Sequence, residues 1–411
     1  AMDYHNALDK LTEVMVYDIF SPPVASRVYV YPSIASYEIA IQDTANTYRS
    51  LSGQIEHFSP IPKLKNPSKV NLNMSAVMAY LNVGEELIFS TQKIKAYKDS
   101  IYQTWSKSPK FEESLNYANK VSQHIMEWAK QDNYAQTRTM PKFSINTEDP
   151  SRWVPTPPDY MDGIEPNWNK MRTFVLDSSS LFKPKRPTKF SVEKDSQFYK
   201  ELIEVYETVN EARKKGDESE EIEIAQFWDC NPYVSTHKGH MMFATKKITP
   251  GAHWILINKI TSQKADFDFA ETARSYAFLT IGVYEAFISS WDEKYRSNLI
   301  RPETVINRDV DEQWTPVLQT PPFPEYTSGH SVVSGSASVV LNEIYGNEFY
   351  FEDNTEVPYG LPVRDFDSFD EAAEEAAISR LYGGIHYMPA IEVGLEQGRK
   401  VGKYVVENIK L

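Results

Sequence analysis

The stretch from Phe267 through Trp291 is the longest amphipathic run in the chain, and it leads directly into Asp292-Glu293-Lys294. A run of that length at helical spacing has to bury one face against other helices. Its most apolar part, Tyr276 to Ser290, is interrupted by Glu285 and is shorter than the ~20 residues of a membrane span. It predicts a core helix. The same periodicity recurs over Asp3–Phe20, Val24–Leu51, Ala76–Leu87, Glu86–Trp105, Phe111–Trp128, Ser196–Lys215 and Ile391–Ile409. Pro32 is expected to kink or divide the second of these. Phe89, Ile94, Tyr97, Ile101 and Trp105 are spaced as one buried stripe, and Gly394 and Gly398 permit close packing of the last helix. Strand-like alternation is scarce. The expectation is an all-α protein of packed helical bundles, with its site in the core of the C-terminal bundle. Three regions are expected within one compact unit: a helical scaffold over 1–138, a proline-rich segment wrapping the surface over 139–191, and a helical catalytic part over 192–411.

Three segments carry chemistry. Ser379-Arg380-Leu381-Tyr382-Gly383-Gly384-Ile385-His386 presents a guanidinium and an imidazole across a glycine pair. A helix capped by Ser368, with Glu371 three residues later as a capping box, would end at the glycines and leave His386 just beyond. The arginine fork suits a tetrahedral or trigonal anion, and a neutral imidazole nitrogen can bond its central atom. Taken alone, such a pair is commonly a satisfied structural contact. Lys294 and Arg301 lie seven apart, about two turns at 3.6 residues per turn. Both cations are expected to face one way, with Pro302 ending the helix at Arg301. Finally, Pro321-Pro322-Phe323-Pro324-Glu325-Tyr326-Thr327 is a stiff arm leading into a helix through Val332, Val333, Ala337, Val340 and Leu341. The N-terminal amides of that helix would point at an anion. Ser328 adds a hydroxyl, Gly329 lets the backbone approach, and His330 can exchange a proton near pH 7.

In order and spacing, Lys294 to Arg301-Pro302, Ser328-Gly329-His330 and Ser379-Arg380 to His386 resemble the signature of the type 2 phosphatidic acid phosphatase superfamily. That superfamily contains acid phosphatases and vanadium-dependent haloperoxidases, and the signature spans about a quarter of the chain, Trp291 to Ala390. Vanadate held by a histidine is a five-coordinate anion similar to the transition state of phosphoryl transfer, so one cage serves both chemistries. For a haloperoxidase the resemblance implies vanadate as cofactor, with vanadium on His386. It also implies that Lys294, Arg301, Ser328, Gly329 and Arg380 hold the oxygens, His330 takes a proton from hydrogen peroxide, and Lys294 polarises the bound peroxide. For an acid phosphatase it implies His386 as nucleophile and His330 as proton donor to the leaving alcohol. A silent anion-binding protein is the third reading. Trp291 and Phe323 resemble the aromatic pair on the halide side of haloperoxidase pockets, and Tyr233 is a further wall by resemblance; core packing is the plain alternative for all three.

One position departs from the pattern. Ala390 stands four residues after His386, where the superfamily normally has an acid. A nucleophilic histidine benefits from an orienting carboxylate, whereas a metal-ligating one can donate to a carbonyl or another side chain. The expectation therefore leans from phosphatase to haloperoxidase. The texture of 321–331 and 383–386 is similar to the bacterial branch of the haloperoxidases. Iodide, the most easily oxidised halide, is the expected substrate with hydrogen peroxide. Algal bromoperoxidases tend to carry histidine where this chain has Phe323, and chloroperoxidases share the phenylalanine.

A formal charge of −14 and a pI near 5.2 argue against nucleic acid as a partner. Lys294, Arg301 and Arg380 need make the pocket positive only locally. The single cysteine, Cys230, excludes an intrachain disulfide and decides nothing about compartment. By resemblance the protein is expected to be periplasmic or secreted, with its signal removed ahead of Ala1-Met2, and monomeric. Asp217 to Glu223 and the pair His237 and His240 have spacings that cations can use, but solvated surface is the commoner fate of both.

Overall fold

The protein is described by a computed structural model covering residues 1–238, 241–244 and 246–411, with the side chains of 236–245 outside that description. Its order of elements is α1 (Met2–Asp18), α2 (Pro22–Ala40), α3 (Leu72–Leu87), α4 (Thr91–Trp105), α5 (Phe111–Ala129), α6 (Tyr134–Thr137), α7 (Gln197–Lys215) and α8 (Glu220–Phe227). The strands β1 (Ser235–Lys238) and β2 (Met241–Ala244) follow, then α9 (Pro250–Lys264), α10 (Phe269–Ser297), α11 (Pro302–Asp309) and α12 (Gly329–Tyr345). The chain closes with β3 (Phe351–Asp353), β4 (Arg364–Phe366), α13 (Phe369–Tyr382) and α14 (Met388–Asn408). Each strand pair is a two-stranded antiparallel ribbon, so the fold is all-α with ribbons at its edge.

The long amphipathic run becomes α10, started by a capping box between Asp268 and Glu271 and sandwiched in a core that includes residues of α1, α2, α3, α9 and α12. Glu285 sits in the middle of this helix, wholly buried. Its Oε1 accepts the amides of Phe174 and Val175, from the irregular segment that crosses the helix. Burial pushes that carboxyl up to about 7. Against α10 lies α12, and α12 in turn meets α14 at very short range. A Cβ on Gly398 would stand 2.0 Å from the Val332 carbonyl oxygen, and one on Gly335 would stand 2.5 Å from that of Leu395. Only hydrogen at these positions lets the two helices touch backbone to backbone.

Several boundaries differ from the sequence reading, each for a local reason. The second helix stops at Ala40 instead of Leu51, because Asp43 and Asn46 use their side chains to hold the amides of Ala45 and Tyr48 in turns. Pro32 stays inside that helix without dividing it. In α4 the expected stripe is buried only at Ile94, and Phe89 lies before the helix, 73 % exposed. The run from Asp217 to Glu223 crosses a turn of 3-10 helix into α8, where Glu221 pairs with Lys215. Residues 139–191 contain one short 3-10 turn, Trp168–Lys170. They do more than wrap the surface: Trp153 and Trp168 are fully buried, and Ile164 offers its carbonyl to Trp291 Nε1 at 3.3 Å and to the Tyr295 hydroxyl at 2.5 Å. Among the described residues no helix is long and apolar enough to cross a membrane.

Candidate active site

The three charged segments converge on one buried pocket at the ends of four helices. Lys294 lies in the last turn of α10, which ends at Ser297 with Asn298 in the left-handed region. The chain is therefore extended at Arg301, which caps the start of α11 and does not end α10 as its spacing from Lys294 suggested. The two cations meet because the arm from Phe323 to Thr327 folds between them. Lys294 Nζ donates to the carbonyl oxygens of Thr327 at 2.5 Å and of Pro324 and Glu325 at 3.3 Å each. Arg301 Nε donates to the Phe323 carbonyl at 2.9 Å. Both cations also lie over the Phe323 ring, 4.9 and 5.1 Å from its centroid.

Arg301 also settles the state of His386. Its Nη1 donates to the Ile385 carbonyl at 2.8 Å and lies 3.0 Å from His386 Nε2. A guanidinium can only donate, so Nε2 is a lone-pair acceptor and the ring proton resides on Nδ1. That nitrogen donates to Glu325 Oε1 at 2.8 Å, and the same oxygen accepts the Tyr387 amide at 3.0 Å. Burial, reinforced by the charges of Arg301, Lys294 and Arg380, holds the His386 imidazole well below its ordinary value, so it is neutral. The ring reaches this position because α13 stops at Tyr382 and Gly384 takes a left-handed turn at φ 76°, which a residue without a Cβ adopts freely.

Ser328 caps α12, accepting the Ser331 amide at 3.3 Å. Among the described residues, the amides of Gly329 and His330 donate to no protein group, so the positive end of the helix opens into the pocket. A Cβ on Gly329 would sit 3.3 Å from the Trp291 ring and 3.6 Å from Lys294 Cε, within the cradle. His330 Nε2 donates to the Trp228 carbonyl at 2.9 Å, which leaves Nδ1 as its basic atom. Arg380 Nη2 donates to the same carbonyl at 2.8 Å, and its Nε to the Ser379 hydroxyl at 3.0 Å. Burial, with the Arg380 charge beside it, keeps His330 well below its ordinary value.

The space left is a tight cavity of about 30 Å³ whose lining includes Tyr233, Trp291, Phe323, Gly329, His330, Arg380 and His386. Lys294, Arg301 and Ser328 stand behind that lining, fully buried. Trp291 and Phe323 form its apolar side, with ring centroids 4.9 Å apart, and half-buried Tyr233 also lines it. The side chain of His237, in β1, and the whole of His240 fall outside the described residues.

Glu325 was missed as a functional group. Its position in the proline arm hints at nothing, because the histidine it serves lies 61 residues away. It changes the meaning of Ala390: the orienting carboxylate has moved to another segment, so an alanine there does not weigh against a nucleophilic histidine as the sequence reading held. Ala390 instead supplies a carbonyl that accepts the Ser328 amide at 3.0 Å.

The pocket suits an anionic guest on its own electrostatics. Lys294, Arg301 and Arg380 are each at most 1 % exposed, while Glu325 is the only carboxylate hydrogen-bonded to the cage among the described residues, and burial pushes it up to about 8. Burial and the charge of Arg301 hold Lys294 well below its ordinary range. Arg301 Nη2 is buried without a partner. Surplus buried positive charge with an orphaned donor is costly until an oxyanion fills it, and a neutral imidazole lone pair beside it suits the central atom of vanadate.

The comparisons agree with that chemistry. The family described as VCPO second helical-bundle domain matches residues 274–411, which contain all three charged segments. No curated protein sequence matches. Among solved structures, the first bacterial vanadium-dependent iodoperoxidase is 55 % identical, with a TM-score of 0.95 over 99 % of this chain and 96 % of that one. A bacterial vanadium-dependent chloroperoxidase shares the fold in its holo form, at 14 % identity and a TM-score of 0.70 over 95 % of this chain and 93 % of that one. Its apo form gives 16 % and 0.69 over 95 % and 94 %. Similarity over almost the whole length of both chains, together with a cage whose cations, helix end and neutral histidine call for an oxyanion, places this chain among the vanadium-dependent haloperoxidases.

Proposed function

We propose that the protein oxidises iodide with hydrogen peroxide to hypoiodous acid and water, consuming one proton, at vanadate held by His386. The observation that carries this reading is the fixed tautomer of His386, with its Nε2 lone pair inside a cage of buried cations. Bound vanadate(V) supplies a Lewis acid that activates peroxide without changing its own oxidation state. The chain does the rest. Glu325 holds the Nδ1 proton and so keeps Nε2 available, at the expense of the hydrogen bond from Arg301 Nη1. Arg301 Nη2, Arg380, the Ser328 hydroxyl and the Gly329 amide offer donors to the oxygens, while Lys294, whose three N–H groups are taken by carbonyls, contributes through its charge. His330, neutral with Nδ1 free, accepts a proton from the incoming peroxide. Trp291, Phe323 and Tyr233 present a weakly polar wall, which costs large, weakly hydrated iodide less than a smaller halide. The 55 % identical relative is itself named an iodoperoxidase. One buried cysteine in the whole chain suits a protein that releases an oxidant of thiols.

Phosphomonoester hydrolysis is the second reading, and the carboxylate of Glu325 against the His386 ring favours it, since this is the orientation a nucleophilic imidazole needs. The two are separated by assaying apoprotein with iodide and peroxide before and after adding orthovanadate. Oxidation is expected only with vanadate and is lost on adding excess phosphate. Steady hydrolysis of a phosphomonoester without vanadate, with no iodide oxidation after its addition, would overturn the first reading. Residence in the periplasm or outside the cell, as a monomer, belongs to the same proposal; cell fractionation and light scattering test it.

A further inference from the structure

Beside the pocket, sharing Cys230 with its wall, lies a second group of ligand-type side chains that the oxidation chemistry does not use. Cys230, His253 of α9 and Glu356 after β3 are all buried, and their ligand atoms lie within 4.8 Å of one another. Cys230 Sγ is 3.4 Å and Glu356 Oε1 is 3.6 Å from the same nitrogen of His253, Nδ1. The other nitrogen, Nε2, is 2.7 Å from Asp353 Oδ2 and 2.8 Å from the Thr355 hydroxyl. The Thr355 hydroxyl donates to Asp353 Oδ1 at 2.6 Å and so faces the ring as an acceptor. Nε2 therefore carries a proton, and Nδ1 offers a lone pair to the cluster once a cation displaces its own proton. A carboxylate against the far nitrogen of a histidine is the arrangement that raises its basicity toward a metal.

As a hydrogen-bonded group the cluster is unfinished. Against the effect of burial, the Asp353 carboxylate holds His253 well above its ordinary value, so Nδ1 gives its one proton toward Cys230, and Glu356 Oε1, 3.6 Å away, is buried with no hydrogen-bond partner. A cation would satisfy all three. Zinc bonds of ~2.3 Å to sulfur and ~2.0 Å to nitrogen and oxygen, in tetrahedral array, separate sulfur from nitrogen by ~3.5 Å and nitrogen from oxygen by ~3.3 Å. The observed 3.4 and 3.6 Å lie within a few tenths of an ångström of those values.

We propose that Cys230, His253 and Glu356 bind a divalent cation of the zinc type, with Asp353 orienting His253 and a water completing the tetrahedron. The ion fastens three separate parts of the chain: α9, the turn after β3, and the segment 228–230. It also steadies the oxyanion site, because the Trp228 ring stacks on His253 at 4.4 Å and the Trp228 carbonyl receives both His330 and Arg380. The site does not rest on the reading of iodide oxidation, and its test reads no activity.

The test uses the full chain, reduced and stripped with a chelator, titrated with cobalt(II). Cys230 is the sole cysteine, so a thiolate-to-cobalt charge-transfer band in the near ultraviolet can come from no other residue. The band is expected to saturate at one cobalt per chain and to bleach when zinc(II) is added. Cys230→Ser should abolish it. Should that variant fail to fold, Asp353→Asn keeps all three ligands and is expected to retain the band with affinity lowered by about 10–100-fold. No band at saturating cobalt in the wild type, or equal affinity in wild type, Asp353→Asn and Glu356→Gln, overturns the proposal.

Discussion

Arg301→Lys separates charge from geometry in the oxyanion cage. The lysine keeps the positive charge but loses the planar fork, and the fork makes three contacts: Nε to the Phe323 carbonyl at 2.9 Å, Nη1 to the Ile385 carbonyl at 2.8 Å, and Nη1 to His386 Nε2 at 3.0 Å. A single ammonium on a shorter stem can replace one of these. At least one buried carbonyl is then left bare, at about 1–3 kcal/mol. Urea unfolding of vanadate-free protein should show a loss of that size. Vanadate loses the donor that Nη2 holds ready without a protein partner. A hydrogen bond from a charged donor is worth about 1.5–3 kcal/mol, so the dissociation constant is expected to rise roughly 10–100-fold at 1.4 kcal/mol per decade. Titrating apoprotein with orthovanadate and following recovery of iodide oxidation measures it. A dissociation constant within threefold of wild type, with Arg301→Ala far weaker, would show that charge alone matters and would refute the argument from the fork.

Replacing His386 by alanine should abolish vanadate binding, whereas His330→Ala should keep the cofactor and slow oxidation by about 10²–10⁴-fold, the usual contribution of a positioned proton acceptor; equilibrium dialysis with vanadate followed by turnover separates them, and equal vanadate affinity in wild type and His386→Ala contradicts the assignment. Burial raises the Glu325 carboxyl from 4.5 to about 8, so between those values the folded protein keeps a proton that the unfolded chain has released. Stability of the vanadate-free protein should therefore fall as pH rises through that window, by at most roughly 1.4 kcal/mol per unit from this group. Glu285 and Glu38, both held at about 7, tilt the same way, so the informative quantity is the difference: Glu325→Gln should have the shallower slope, and parallel curves would refute the assignment. Gly398→Ala places a methyl 2.0 Å from the Val332 carbonyl oxygen and should lower stability by about 3 kcal/mol or more in thermal melts, while an unchanged midpoint would mean that α12 and α14 do not cross so closely.

The helical class was legible because helices advertise themselves locally. A buried face repeats every 3.6 residues, and caps such as Asp268 and Ser368 stand where the periodicity begins. The capping box expected at Ser368 is half made: Ser368 accepts the Glu371 amide, but Glu371 turns back to the Asp367 amide instead. The three charged segments were equally visible, since each keeps its residues within a few positions of one another. Glu325 was not, nor was the Trp228 carbonyl that anchors both His330 and Arg380. Contacts between a side chain and a distant segment leave no spacing to read, and a backbone carbonyl leaves no residue type either.

The amino-acid sequence alone determined that this chain forms packed helices, because periodicity and caps depend on neighbours along the chain, and the resemblance of three short segments to one signature implied that they share an oxyanion pocket. The tertiary structure decided which carboxylate orients His386, which nitrogen of that ring is free, and why the irregular segment from 139 to 191 matters at all. Each of those depends on which groups meet in a dry interior, where an unpartnered donor or charge must find its complement across tens or hundreds of residues.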